Sequence, residues 1–330
     1  MSSKVENLIL KSTGAKSAFP LGVLQRLWSG YGKIVRFGLT GCDRNTVIVK
    51  HVRLDRQRPG DSVSHQRKLR SYQVETHWYK NRSQQCNEMC RVPSCLAAES
   101  FENEVLILLE DLDASGFDHR RSRVNLDEMH ACLNWLANFH ATFMCEKPEG
   151  LWPTGTYWHL ETRPDELQVL DDLELKNEAS AIDRILRETP YQTLVHGDAK
   201  LANFCFSNDG RVASVDFQYV GGGPGIKDVA YFIDSCLDGT KAEEKCDELL
   251  DVYFLALKQA LKIKNKAFDA DAIERDWRNL YPVAWTDFHR FLKGWSPGHW
   301  PKNSYSERIA RQVIAQLSDS ERCLDAIIGS

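Results

Sequence analysis

The sequence predicts an α+β chain in two lobes, an N-terminal antiparallel sheet carrying one helix and a larger, mostly helical C-terminal lobe. Three observations carry this expectation. Strand-like runs crowd the N-terminal part, helical periodicity takes over after Leu112, and 330 residues exceed what a single core usually organises. Placing the boundary at that change of texture gives an N-terminal lobe over 1–111 and a C-terminal lobe over 112–330.

The elements follow in order. VLQRLW (Val23 to Trp28), KIVRFGL (Lys33 to Leu39) and TVIVKHV (Thr46 to Val52) read as strands, and EVLILLEDL (Glu104 to Leu112) as a further one. SGYG and TGCDRN supply turn chemistry between the first three, as an antiparallel meander requires. The segment from His65 to Asn81 sets Leu69, Tyr72, Val74, Trp78 and Tyr79 at roughly helical spacing. Leu126 to Phe143 repeats that period with Met129, Leu133, Leu136, Ala137 and Phe143. After it come TLVHGDAKLANFCF (Thr193 to Phe206), a hairpin, and a largely helical remainder.

Composition excludes several classes. A hydrophobic share of 42% and a charged share of 27% are those of an ordinary globular protein. Net charge is −4 and the pI about 6.2, so no nucleic-acid or anionic-membrane partner is expected. The longest apolar runs, such as Val105 to Leu109, fall far short of a membrane span. The N-terminal stretch lacks a signal-peptide core. The ten cysteines are scattered, and no Cys/His spacing for zinc accompanies Cys86 and Cys90. Cys132, Cys205 and Cys236 sit in apolar contexts as small core residues, and a reducing cytoplasm is the expected setting.

The chemistry concentrates in TLVHGDAKLANFCF, where His196, Asp198, Lys200 and Asn203 stand between apolar runs. Buried polar groups are costly unless satisfied or used. Asn-Asp-Gly in SNDGR is a hairpin turn, so FCF folds against VASVDF (Val212 to Phe217). That pairing brings Asn203 and Asp216 to one end of the hairpin, with Asp198 on the loop before it. An amide oxygen and a carboxylate suit magnesium, which takes a few protein oxygens plus waters and phosphates. Asp198 is then placed to accept a proton from an attacking hydroxyl, and Lys200 to neutralise charge on a transferring phosphoryl group. The alternative is a polar hairpin end that holds no metal.

HGDAKLAN followed by VDFQ resembles the catalytic and metal-binding loops of the protein-kinase-like fold. It looks most like the small-molecule branch: aminoglycoside phosphotransferases, choline kinases and ecdysteroid-kinase-like proteins. The resemblance implies Asp198 as catalytic base, Asn203 and Asp216 as magnesium ligands, and Lys200 as a phosphate contact. His196 is implied to scaffold the loop, and Asp228, in KDVAYF, to brace it. On the N-terminal side it implies that Lys50 in TVIVKHV holds the ATP phosphates, with Glu75 as its partner and Glu88 a poorer choice. An outward-facing strand lysine is the alternative for Lys50. SGYGK would cover the phosphates or be a plain turn. LLEDL resembles the inter-lobe hinge, so backbone groups of Glu110 and Leu112 would bind the adenine edge, the side chains of Glu110 and Asp111 only capping or solvating the hinge.

Two departures from the resemblance point to a small acceptor rather than a protein. Gln218 stands where glycine usually follows Asp-Phe. No protein-kinase activation segment separates Asp216 from the next helix; YVGGGPGIKDVAYFI (Tyr219 to Ile233) runs straight into it. Its glycines suit either a close backbone pass at the metal or acceptor or a flexible loop. Further on, Tyr281, Trp285, Phe288, Phe291, Leu292 and Trp295 recur at helical spacing, as a core-facing stripe or an aromatic acceptor wall to which Asp287, His289 and His299 could add. The expected activity is ATP- and magnesium-dependent phosphotransfer to a hydroxyl of a small molecule: an aminoglycoside, a choline-like amine, a sugar or a steroid alcohol. The alternative is a nucleotide-binding pseudokinase acting as a regulatory or interaction module. A metal-dependent hydrolase is a third reading.

Overall fold

Residues Ser3–Thr13 form helix α1, to which the sequence analysis assigns no element. Its Val5, Leu8 and Ile9 are buried at i, i+3 and i+4 spacing, and Gly14 closes it in the left-handed region at φ 69°. The structure is a computed structural model that describes residues 3–27, 30–54, 63–264, 268–298, 300–301 and 304–328, with side chains up to residue 319. The chain then runs β1 (Ser17–Arg26), β2 (Gly32–Thr40), β3 (Thr46–Arg53), α2 (Val63–Asn81), β4 (Cys95–Ser100) and β5 (Glu104–Glu110). Beyond these come α3 (Leu126–Thr142), α4 (Pro164–Val169), α5 (Leu173–Asn177), α6 (Ala179–Glu188) and β6 (Thr193–Val195). The short strands β7 (Phe204–Phe206), β8 (Val212–Ser214) and β9 (Gly221–Gly223) follow, and then α7 (Ile226–Cys236), α8 (Gly239–Ile263), α9 (Ala270–Trp295) and α10 (Tyr305–Ile328).

Two compact units result: Met1–Ser122 with Ala202–Tyr219, and Arg123–Leu201 with Val220–Ser330. The β7–β8 pair, met in sequence only after the loop at 196–201, therefore packs with the first unit.

In the first unit the five-stranded sheet is antiparallel throughout, in the order β1-β2-β3-β5-β4. Lys50 on β3 faces Ile34 on one side and Ile107 on the other, which fixes it in the middle of the sheet. Helix α1 adds to a core with Val35, Phe37, Leu39, Val47, Val49, Leu106 and Leu108. The sheet thus carries two helices rather than one, and β4 is a further strand that sequence reading misses. CLAAES is short and alanine-rich, and it acquires strand geometry by pairing with β5 through a bulge at Cys95/Ala97. The β7–β8 hairpin pairs Phe204 with Ser214 and Phe206 with Val212, so Val215 lies opposite Asn203.

In the second unit α3 begins at a capping box, Asn125 with Glu128, and packs along α8. Helix α9 packs against α7 and α10. Its Tyr281, Trp285, Phe288 and Phe291 are buried, and Phe288 and Phe291 form an aromatic cluster with Trp158 and Tyr231. The stripe is core, apart from Trp295, which is 61% exposed. Asp287 is spent on Arg290 and the Trp158 indole N–H, and His289 on Glu307. His299 lies outside the described residues. Gly221 and Gly222 have a reason other than the two expected: a Cβ on them would lie 2.3 Å from the Trp152 carbonyl oxygen and 2.7 Å from that of Pro153. They let β9 lie against that backbone.

Candidate active site

Lys50 leaves β3 into the interior, and its alternative as an outward-facing strand lysine is excluded by burial. Its Nζ lies 2.8 and 2.7 Å from the two oxygens of Glu75, which α2 presents from the opposite side. The same ammonium reaches Asp216 Oδ1 at 3.2 Å. Burial pushes the Glu75 carboxyl up, and Lys50 pulls it back only in part, leaving it at about 7. Glu88 takes no part; its exposed side chain pairs with Arg91.

Asp216 follows β8 with φ 70°, a left-handed conformation that is unfavourable for a residue with a Cβ and tolerated mainly by Asp and Asn. Phe217 next to it is fully buried and stacks on Trp78 of α2, ring centroids 4.6 Å apart. Asn203 is buried at the start of β7, and its main-chain carbonyl accepts the Val215 N–H at 3.0 Å, one residue before Asp216. The amide of Asn203 and the carboxylate of Asp216 thus stand at one end of the hairpin. Among the described residues no cluster of three or more His, Cys, Asp or Glu could hold a metal. The donor set at this hairpin end is two hard oxygens, which fits magnesium that completes its shell with water and phosphate and does not fit zinc.

At the end of β5, Glu110 and Asp111 are anchored by their side chains. Glu110 accepts from Arg91 at 2.5 Å, Ser115 at 2.6 Å and the Ser94 N–H at 2.8 Å. Burial alone would raise its carboxyl; these donors override it and bring it down to about 2. Asp111 pairs with Arg36 at 2.7 Å. The Glu110 N–H is spent on the Ser94 carbonyl, and the Leu112 carbonyl accepts from Ser115 and Phe117. Of the backbone groups at these two positions, the Glu110 N–H and the Leu112 carbonyl are thus used within the chain. Of SGYG, Ser29 lies outside the described residues. Gly32 is dictated by packing, since a Cβ would meet the His51 carbonyl oxygen at 2.0 Å.

In the second unit the loop after β6 hangs on one buried carboxylate. Asp228 of α7 accepts from the His196 N–H at 2.5 Å and the Gly197 N–H at 3.0 Å, and its Oδ2 lies 3.1 Å from His140 Nε2. His140 is held in turn by the Tyr253 hydroxyl at 2.8 Å. Gly197 supplies the turn at φ 79°, and His196 Nδ1 accepts the Asp198 N–H at 3.2 Å. Every backbone donor of this turn is thus used, and His196 is a buried scaffold. The Asp198 carboxylate takes the Tyr231 hydroxyl at 3.2 Å on one oxygen and Lys200 Nζ at 2.9 Å on the other. Lys200 itself is 39% exposed.

Sequence reading misses Tyr231 and Asp234, one turn apart on α7, because α7 reads as an ordinary helix. Asp234 has no hydrogen-bond or ion-pair partner among the described residues, and burial raises its carboxyl to about 6.

The ecdysteroid kinase-like family profile matches residues 41–150 and 158–266. The chain belongs to the ecdysteroid kinase-like family. The matched stretches contain Lys50, Glu75, Glu110, Leu112, Asp198, Lys200, Asn203 and Asp216, whereas α9 lies beyond them. Family and fold support a kinase-type phosphotransferase of small molecules, and the two-lobed protein-kinase-like architecture is the one described above.

No curated protein matches the chain significantly. Solved structures similar to it include a macrolide 2'-phosphotransferase of Brachybacterium faecium, at 9% identity and TM-score 0.48 over 91% of this chain and 100% of that one. A choline kinase of Streptococcus pneumoniae matches at 11% identity and TM-score 0.45, over 95% and 98%. An aminoglycoside phosphotransferase of Streptomyces rimosus, in complex with ADP and streptomycin, matches at 14% and 0.40, over 84% and 97%. At these identities and scores the likenesses assign neither an acceptor nor a residue's role.

Proposed function

We propose that this family member transfers the γ-phosphate of ATP, with magnesium, to a hydroxyl of a small molecule. The observation that carries the reading is Lys50, a buried ammonium held by Glu75 and Asp216 from two separate segments. Burying the Lys50–Glu75 pair beside the half-buried Asp216 costs desolvation that apolar residues would avoid, so the arrangement is better explained by use than by stability.

In this reading Lys50 binds the α- and β-phosphates, and Glu75 fixes its direction. Asn203 and Asp216 would hold magnesium, which when bound would supply charge neutralisation to the phosphates. The Glu110 carbonyl and the Leu112 N–H hold the adenine edge. Asp198 accepts the proton of the acceptor hydroxyl, oriented by Tyr231, and Lys200 neutralises negative charge on the transferring phosphoryl group. The direct run from Tyr219 into α7 favours a small acceptor. A pseudokinase is less favoured, because each ionisable group that the chemistry needs is present.

The test is transfer from ATP labelled in its γ-phosphate, with magnesium, across a panel of aminoglycosides, choline-like amines, sugars and steroid alcohols. A labelled small-molecule phosphate is the expected product. ATP binding without transfer to any of them would favour the pseudokinase, and strong thermal stabilisation by magnesium alone would favour a hydrolase.

A further inference from the structure

Gln218 is the departure that the activity leaves unexplained. It follows the left-handed Asp216 by two residues, and its Nε2–H donates to Asp216 Oδ1 at 2.6 Å. Lys50 Nζ approaches that same oxygen at 3.2 Å. One carboxylate oxygen is therefore held by two donors, one neutral and one charged. On its far side Gln218 Oε1 meets the Ser71 hydroxyl at 3.3 Å, whose single proton is shared with the Lys68 carbonyl at 2.8 Å.

All three residues from 216 to 218 are thereby tied to α2. Ser71 meets Gln218, Glu75 meets Asp216 through Lys50, and Trp78 stacks on Phe217. Positions 71, 75 and 78 are spaced i, i+4 and i+7, one face of a helix. A glycine at 218 would remove both the amide's hold on the carboxylate and its contact with Ser71. That hold turns Oδ1 toward the sheet and α2, and so decides how the carboxylate presents itself to a cation.

We propose that Gln218 is a positioning residue that fixes the Asp216 carboxylate for divalent-metal binding, with α2 as its support. The inference rests on the metal role of Asp216 in the proposed function. Hydrogen-bond partners behind a metal ligand commonly contribute 10–100-fold to metal affinity, which sets the expected size.

The experiment titrates Mn²⁺, as a paramagnetic stand-in for magnesium, into the full chain saturated with ADP, and follows free Mn²⁺ by electron paramagnetic resonance. Gln218→Met, which keeps the length but has no N–H, weakens Mn²⁺ binding by about tenfold, while metal-free ADP affinity and melting temperature stay near wild type. Gln218→Ala gives the same direction and guards against a misfolded Met variant. Ser71→Ala weakens binding a few-fold at most, and adds nothing in the Gln218→Met background. Wild-type Mn²⁺ affinity in both Gln218 variants, with the affinity lost in Asp216→Asn, overturns the positioning role and leaves the proposed function standing. Full affinity in Asp216→Asn, or no Mn²⁺ binding by wild type, overturns both.

Discussion

Lys50 Nζ and Glu75 Oε1 lie 2.8 Å apart with both side chains buried, β3 supplying the cation and α2 the anion. Such a pair is hard to break from one side. Lys50→Met leaves a buried carboxyl without its counter-charge, which costs about 3–5 kcal/mol. The double variant Lys50→Met/Glu75→Leu recovers most of that stability, since an apolar replacement of the whole pair is often neutral. It does not recover ATP affinity. Melting curves and nucleotide titrations on both variants check this, and recovered ATP binding in the double variant would remove Lys50 from the nucleotide site.

The Asp228 brace predicts a different split. Asp228→Asn keeps the size of the side chain but replaces one acceptor oxygen by a donor, facing the N–H groups of His196 and Gly197. The loop carrying Asp198 loses its anchor, so phosphotransfer falls at least tenfold while ATP affinity changes less than threefold. Parallel loss of both would mean that Asp228 supports the fold at large and not this loop.

Acid tests the Glu110 cluster. Glu110 sits at about 2 in the folded chain against an ordinary 4.5, so its donors contribute stability above pH about 4.5. That contribution is lost as pH falls from about 4.5 through about 2, and discounted for partial screening it is about 2 kcal/mol. Glu110→Gln therefore melts below wild type at pH 7, and the gap closes toward pH 2–3. A gap independent of pH would show that packing, not charge, is what Glu110 contributes.

Asp234 carries the opposite sign. Its carboxyl is raised from 3.8 to about 6 by burial, so the folded chain binds that proton more tightly than the unfolded chain. Stability from this group is complete below pH about 3.8 and declines as pH rises through about 6. Asp234→Asn consequently stabilises the chain by about 2 kcal/mol at pH 7–8, and by little near pH 4. Equal melting temperatures at pH 8 would mean that the carboxylate has a counter-charge in solution.

Much of the site was legible because its signals are local. The Asn-Asp-Gly turn fixes the hairpin register that brings Asn203 beside Asp216, and strand alternation turns Lys50 inward. Glu75 was reached through the family resemblance of its segment, and the structure places it on α2 against Lys50. What escaped depends on partners distant in sequence. Tyr231 meets Asp198, thirty-three residues away, and Gln218 meets Ser71, one hundred and forty-seven away. Helix α1 is legible only through the core that buries its Val5, Leu8 and Ile9. The glycines of β9 gain their reason from the backbone of Trp152 and Pro153, a close approach that composition does not announce. The aromatic stripe of α9 was ambiguous because core and binding wall share one period, and burial decides it for the core.

The most direct measurement is phosphoryl transfer by Asp198→Asn, compared with wild type on whichever acceptor of the panel wild type phosphorylates, at saturating ATP and magnesium. The substitution keeps the size of the side chain and removes the proton acceptor. The account predicts turnover reduced by about a hundredfold or more with ATP affinity unchanged. Turnover within a few-fold of wild type would contradict it.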